Sequence, residues 1–336
     1  MAPDRHDHSP HARRSSRTST IGSTDDVGIA LGEALTLAEA GRFCRALDPM
    51  LVGSGRHVWI DLEDVKAVDV VGVAALHQGV RRASAHGVPL TVLPSPAVHR
   101  ALLNAGILEE IPYQGPGTAP TVTAPVLVEA EPEPPARPVA TTARLSLRRP
   151  RWEELALFER WAREPLLDQM VGSQLLYLCR HLGPYHPDFV ARVFSDAGAV
   201  TLFVEPRERD GRPVGFVRLY GVNLTERFAF LETAIVDPGS LRAGWGVQAA
   251  RLFVAWAHDV LELHRVEAKV YAYNVLSINA LRRNGFRAEG VLREARTYEG
   301  RRWDILVYAI LGPEIAQERA RDHFPVMGLW QRRADP

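Results

Sequence analysis

The run Ala234-Ile-Val-Asp-Pro-Gly-Ser-Leu-Arg-Ala-Gly-Trp-Gly-Val-Gln-Ala-Ala250 joins a strand-like apolar segment, through a glycine-containing turn, to a long amphipathic segment. A helix opening directly from such a turn exposes unpaired backbone N–H groups and the positive end of its dipole, which together hold phosphate oxygens. Gly244 and Gly246 let the backbone approach where a side chain would block it. A G-x-G turn between strand and helix is also ordinary punctuation, so the chemistry it offers needs a second motif. Other reactive side chains are sparse. His6, His8 and His11 could bind a metal, but they lie in a Ser, Thr, Arg and Pro tail with nothing to orient them, and no metal is expected. Cys44 and Cys179 are too few for a disulfide framework and lack the paired spacing of a zinc site, so they read as reduced thiols.

The elements around the turn follow from periodicity. Phe228 to Val236 reads as a strand, and Trp245 to Leu263 carries apolar residues at 247, 250, 253, 254, 257, 260 and 261, one face of a helix. A strand at Val266 to Tyr273, a helix from Ser277 to Asn284 and a strand at Trp303 to Leu311 follow. Upstream, Trp152 to Trp161 and Leu175 to Leu182 read as helices, and Val200 to Glu205 and Val214 to Val222 as strands. Closer to the start, Leu35 to Leu51 reads as a helix, His57 to Leu62 as a strand, Val71 to Ala85 as a helix, Val88 to Leu93 as a strand and Ala97 to Gly106 as a helix. Between the two sets, Gln114 to Thr142 is rich in Pro, Ala and Val with an acidic Glu129-to-Pro135 run, the composition of a semi-rigid linker.

This pattern divides the chain into a disordered tail (1–26), an α/β domain (27–113), a linker (114–142), a second domain (143–313) and a C-terminal extension (314–336), with the domains tethered rather than fused. Lys plus Arg and Asp plus Glu number 40 each, so no global field draws the protein to nucleic acid or an acidic membrane. No apolar run reaches the ~20 residues of a membrane span, and Arg13-Arg14 is followed by Ser, Thr and Asp rather than the apolar core of an export signal. A cytoplasmic protein is expected.

A second motif lies downstream of the glycine turn: Asn274-Val-Leu-Ser277, then Arg282-Arg-Asn-Gly-Phe286 and Glu289-Gly290. Together with the turn, these resemble the GNAT acyltransferase superfamily, in particular its RimJ/RimL-like branch. Val214-Gly-Phe-Val-Arg-Leu219 is similar to that family's second central strand and Trp303-Asp-Ile-Leu-Val-Tyr308 to its closing strand. The resemblance implies a mixed, mainly antiparallel sheet flanked by helices and an acetyl-CoA cosubstrate. The pyrophosphate would lie on Arg242, Ala243, Gly244, Trp245, Gly246 and Val247, and pantetheine would pair with the backbone near Ile235 and Val236, after a bend in the strand. Asn274 and Ser277 would face the cofactor arm. The motif's first basic position falls on Leu241, so the charge must come from Arg242 or the backbone amides must act alone.

Transfer to an amine needs the amine neutral, a donor for the thioester oxyanion and an acid for the leaving thiolate. Glu232 is the base candidate, directly or through water, or else a structural or substrate-orienting carboxylate. Many members of the family place a tyrosine acid four residues before the Gly-Phe glycine; here Leu281 stands there, and Ser277 is the substitute, unless its hydroxyl caps a helix. His264, Tyr271 and Tyr273 either line the acceptor pocket or pack as core, and the 152–190 helices cover the acceptor side. The acceptor is a primary amine, of a protein N-terminus or a small molecule. The alternative is a catalytically weak CoA sensor.

The N-terminal segments Ile60 to Leu76 and Gly87 to Ser95 resemble a STAS domain, the fold of anti-sigma-factor antagonists. Its phosphorylated D-S-S-G loop reads Asp69-Val-Val-Gly72 here, so Val70 offers no hydroxyl to a kinase. The domain then either binds a protein constitutively, or senses a ligand or packs against the transferase.

Overall fold

A computed structural model describes residues 26–52, 56–115, 126–128, 138–209, 211–236, 240 and 243–330. The expectations for His6, His8, His11, Leu241, Arg242 and most of the Pro-rich stretch lie outside the described residues.

The N-terminal unit comprises β1 (Val27–Leu31), β2 (Ala34–Leu35), α1 (Leu37–Leu47), β3 (Val58–Leu62), β4 (Ala67–Val68), α2 (Val70–Ala85), β5 (Leu90–Pro94), α3 (Pro96–Asn104) and β6 (Val126–Val128). Its main sheet has the order β5-β3-β1-β6 and every pairing is parallel. β6 falls inside the stretch read as linker; three residues are too few to show a period among prolines. Asp69 explains the loop before α2. Its Oδ1 accepts the N–H groups of Val71 and Gly72, both at 3.0 Å, and its Oδ2 accepts that of Leu37 at 2.8 Å. A Cβ at position 72 would stand 1.9 Å from the Leu35 carbonyl oxygen, so only glycine lets α2 seat there.

The C-terminal unit comprises β7 (Ala140–Thr141), β8 (Leu145–Arg148), α4 (Leu155–Ala162), α5 (Pro165–Met170), α6 (Gln174–Leu182), α7 (Pro187–Phe194), β9 (Ala199–Pro206), β10 (Gly215–Asn223), β11 (Phe228–Ile235), α8 (Trp245–Val260), β12 (Arg265–Tyr271), α9 (Val275–Arg283), β13 (Arg287–Tyr298), β14 (Arg301–Leu311) and α10 (Gly312–Arg321). The sheet order is β13-β14-β12-β11-β10-β9-β8-β7, antiparallel throughout except between β11 and β12. Alternation along the strands sends Val217, Leu219 and Leu202 into the core with α8, and Phe203 and Phe216 to the opposite face, where they pack with Phe158, Trp161 and Phe189 of α4 and α7. At β8, Arg148 is buried and paired with Glu154, at 2.7 Å, and with Glu205, which anchors this edge of the sheet.

The two units are fused, not tethered. One apolar cluster runs through both. Gln78 Nε2 donates to the Val260 carbonyl at 2.9 Å, Arg81 pairs with Glu262 at 2.7 Å, and the Val70 N–H donates to the Asp196 carbonyl at 3.2 Å. The chain after α10 also reaches back: Trp330 Nε1 donates to Gln78 Oε1 at 3.0 Å, and Arg82 lies 4.7 Å over the Trp330 ring. Prolines in a connecting stretch carry no information about whether the surfaces at its ends match. Among the described residues no helix is long and apolar enough to cross a membrane.

Candidate active site

Among the described residues, the one parallel pairing of the large sheet, β11 with β12, is also a short ladder of three residue pairs. β11 and β12 are in register only over Phe228–Arg265, Ala229–Val266 and Phe230–Glu267, and then part. Beyond Phe230, β11 stays on β10 with unbroken register to Ile235, while β12 stays on β14 to Tyr271. A wedge opens between them. The register shift between β10 and β11 falls on β10 between Tyr220 and Asn223, around the left-handed Gly221, while at the other end the Ala234 carbonyl of β11 presses so close to Gly215 that a Cβ there would stand 1.9 Å from it.

Antiparallel hydrogen bonding alternates by residue, and the Val236 N–H is taken by the Val214 carbonyl at 2.9 Å. Residues 234 and 232 therefore face β10 with their backbone groups, and those of Thr233 and Ile235 face the wedge. The backbone of Ile235 thus faces the wedge, the Val236 N–H is already bonded, and Thr233, not singled out from the sequence, faces the wedge beside Ile235. Finding Thr233 needed the strand register, which is a tertiary property.

At the wedge's α8 end, Gly244 is the N-cap, with φ 84° and no side-chain cap. The N–H groups of Trp245, Gly246 and Val247 thus begin the helix without a capping side chain, as an anion site requires. Trp245 contributes backbone only, because its ring is buried with Arg144 stacked 4.4 Å above it. Gly246 abuts β11: a Cβ there would be 3.2 Å from Ile235 Cγ1. Ala243 is exposed at the turn.

Across the wedge, Asn274 is the buried N-cap of α9. Its Oδ1 accepts the Ser277 N–H at 3.0 Å, and its Nδ2 donates to the Met170 carbonyl at 2.9 Å and to Ser277 Oγ at 2.8 Å. The cap is Asn274 rather than Ser277, whose hydroxyl proton has no acceptor among the described residues. Tyr273 donates its hydroxyl to the Gln169 carbonyl at 2.6 Å, and Tyr271 crowds Gly172, so the α5–α6 turn lies against this strand end. His264 is placed elsewhere, beside His258 and Gly312 at the far end of β12.

Glu232 lies on β11 beside the wedge, facing α6. Its Oε1 is buried without a hydrogen-bond partner, with Ser173, the N-cap of α6, beside the carboxyl. Burial pushes its pKa up, opposed by Ser173 and by the positive charge of Arg218, its cross-strand neighbour on β10. Arg218 is itself buried and pairs with Asp196 at 3.6 Å. Tyr220, next along the same face, is raised chiefly by burial and then by Glu232. Cys44 and Cys179 are buried, their thiols pushed up to about 12, chiefly by that burial. Among the described residues no three His, Cys, Asp or Glu side chains converge on a metal position.

Comparison with known proteins finds a family match in each unit. Residues 20–112 match the Mlab STAS domain family, and residues 170–286 the GNAT acetyltransferase family. A probable N-acetyltransferase of Bacillus subtilis, YjcK, is 34% identical over 112 residues, covering 32% of this chain and 60% of its own. An uncharacterized N-acetyltransferase of Bacillus licheniformis, p20, is 33% identical over 73 residues, 22% of this chain and 41% of its own. This chain therefore spans about 60% or less of the length of these curated relatives. A spermidine N-acetyltransferase from Vibrio cholerae, solved with CoA and spermine, aligns with 19% identity over 52% of this chain and 99% of that chain, at a TM-score of 0.44.

Proposed function

From a chain that carries an N-terminal STAS domain joined to a C-terminal GNAT acetyltransferase domain, we propose that it transfers an acetyl group from acetyl-CoA to a primary amine. The observation that carries this reading is the wedge after Phe230, with a buried, partly unsatisfied carboxyl at its side and an uncapped helix N-terminus at its end. Residues 245–247 would hold the pyrophosphate through their N–H groups. The backbone of Thr233 and Ile235 would pair with pantetheine as an added strand does. In the transfer, the amine nitrogen attacks the thioester carbonyl and the C–S bond breaks. Glu232 takes the proton the amine must lose, and the Ser277 hydroxyl donates a hydrogen bond to the departing thiolate, which leaves as the anion and takes its proton from solvent. Asn274 positions Ser277 through its hydrogen bonds to the Ser277 hydroxyl and N–H. The acceptor is an amine of a protein N-terminus or of a small molecule such as a polyamine or amino acid.

The test is calorimetry with acetyl-CoA plus thiol release over a panel of polyamines, amino acids and N-terminal peptides, at several pH values. Wild type binds and turns over. Because the Glu232 pKa is raised, the base form fills only above the ordinary carboxylate range, so kcat/KM climbs with pH through that raised value and is lost below it. Glu232→Gln lowers kcat by roughly 10²- to 10⁴-fold and leaves acetyl-CoA affinity in place. Binding without turnover on any amine would instead make the domain a CoA sensor.

A further inference from the structure

One residue outside the site ties the two domains to it. Asp196 lies between α7 and β9, and its groups reach four segments. Its Oδ1 accepts the Gly198 N–H at 2.9 Å, and its Oδ2 pairs with Arg192 at 3.1 Å and Arg218 at 3.6 Å. Its carbonyl accepts the N–H of Val70, the first residue of α2, at 3.2 Å. Arg149 closes the same seam: one guanidinium nitrogen donates to Thr36 Oγ1 at 3.1 Å, another to the Phe194 carbonyl at 2.9 Å. The loop that carries the switch serine in STAS regulators is thus seated on the segment that places Arg218, and Val70 is fully buried there. Arg218 stands between two carboxylates, Asp196 on one side and Glu232 across the strand pair.

We propose that the STAS domain is coupled in cis to the transferase site, the N-terminus of α2 seating Asp196 as a positioning residue that holds Arg218 away from Glu232. The proposal rests on the reading of Glu232 as the titrating group of that site. The Arg218 charge is divided between two carboxylates in the sense that Asp196 offsets part of what Glu232 feels, so the Glu232 carboxyl keeps its raised pKa. Asp196 sets that division, and the STAS loop sets Asp196. The remaining groups around Glu232 are Tyr220 on β10 and Ser173 at the start of α6, with Tyr271 and Glu267 of β12 facing Tyr220. Of these, Tyr220 also faces Arg218, whose guanidinium lies 5.6 Å from its ring centre.

The test needs neither acceptor nor acetyl-CoA: a ¹³C NMR titration of glutamate carboxyls in the full chain, with the Glu232 signal assigned by Glu232→Gln. Asp196→Asn keeps the carbonyl and the contact to Gly198 but removes the charge. Glu232 becomes the sole carboxylate partner of Arg218, and its titration moves down by about one pH unit. Val70→Pro is tolerated at a first helical position, removes the N–H and puts a ring carbon against the Asp196 carbonyl. It moves Glu232 in the same direction by less, and the double variant moves it by less than the sum. If thermal melting shows Val70→Pro unfolded, Arg149→Met opens the seam instead. Folded variants in which the Glu232 titration stays put would overturn the coupling. A shift in both variants with no amine acetylated would preserve the coupling and sink the transferase reading alone.

Discussion

Replacing Gly244 by alanine isolates what the turn before α8 does. Gly244 has φ 84° and ψ 4°, and a Cβ built there meets no atom within 4 Å, so the substitution costs backbone conformation and nothing in packing. A non-glycine L-residue in that region costs about 1–2 kcal/mol. At roughly 2–4 °C per kcal/mol for a domain of this size, melting falls by about 2–8 °C. Relieving the strain turns the peptide that aims the N–H groups of residues 245–247, and CoA affinity drops about tenfold, worth ~1.4 kcal/mol. Asparagine tolerates the left-handed region better, so Gly244→Asn keeps most of both. Gly246→Ala is the contrast. It lies within the helix, where alanine gains about 1 kcal/mol over glycine. Its methyl would sit 3.2 Å from Ile235 Cγ1, a contact that offsets the gain, so stability stays within about 1 kcal/mol of wild type. Differential scanning calorimetry and CoA titration of the three variants read both quantities. Should Gly244→Ala melt and bind like wild type, or Gly246→Ala fall as far as it, the strained turn is not what presents the amides.

Asn274→Ala removes a cap, worth about 1 kcal/mol, and orphans the half-buried Met170 carbonyl, worth about 1 kcal/mol more; denaturant melts should show a loss of roughly 2 kcal/mol, and a loss under 1 kcal/mol would mean the α5–α6 turn is held by other contacts. At Gly172, with φ 62°, an added Cβ would stand 2.0 Å from the Tyr271 hydroxyl oxygen. Gly172→Ala is therefore expected to destabilise by both clash and φ, and Tyr271→Phe in the same chain should recover the clash but not the ~1–2 kcal/mol of backbone strain; no recovery in a melting comparison of single and double variants would place the damage elsewhere.

What the sequence revealed, and what it withheld, follows from how far apart the interacting residues lie. The Asn274–Ser277 spacing and the Gly244–Gly246 turn are local, i to i+3 and i to i+2 relations, and both stand in the structure as helix starts, with Asn274 rather than Ser277 as the cap. α7 carried its own signal, His186 as cap with Pro187 at the first turn, which the apolar pattern overshadowed. β13 had none, because nearly all of Arg287–Tyr298 is exposed and no apolar alternation marks it. Thr233 and Asp196 depend on register and on a seam between domains, which one sequence does not encode locally. Arg218 is different. It interrupts the apolar run of β10 as Glu232 interrupts that of β11, and the two strands are consecutive with only residues 224–227 between them. A charge carried into the centre of a buried strand costs several kcal/mol unless it meets a partner. Two such interruptions of opposite sign, on strands close enough to form a hairpin, can offset one another only by facing each other. The site's second charged residue was therefore recoverable from Glu232 and the cost of burying it.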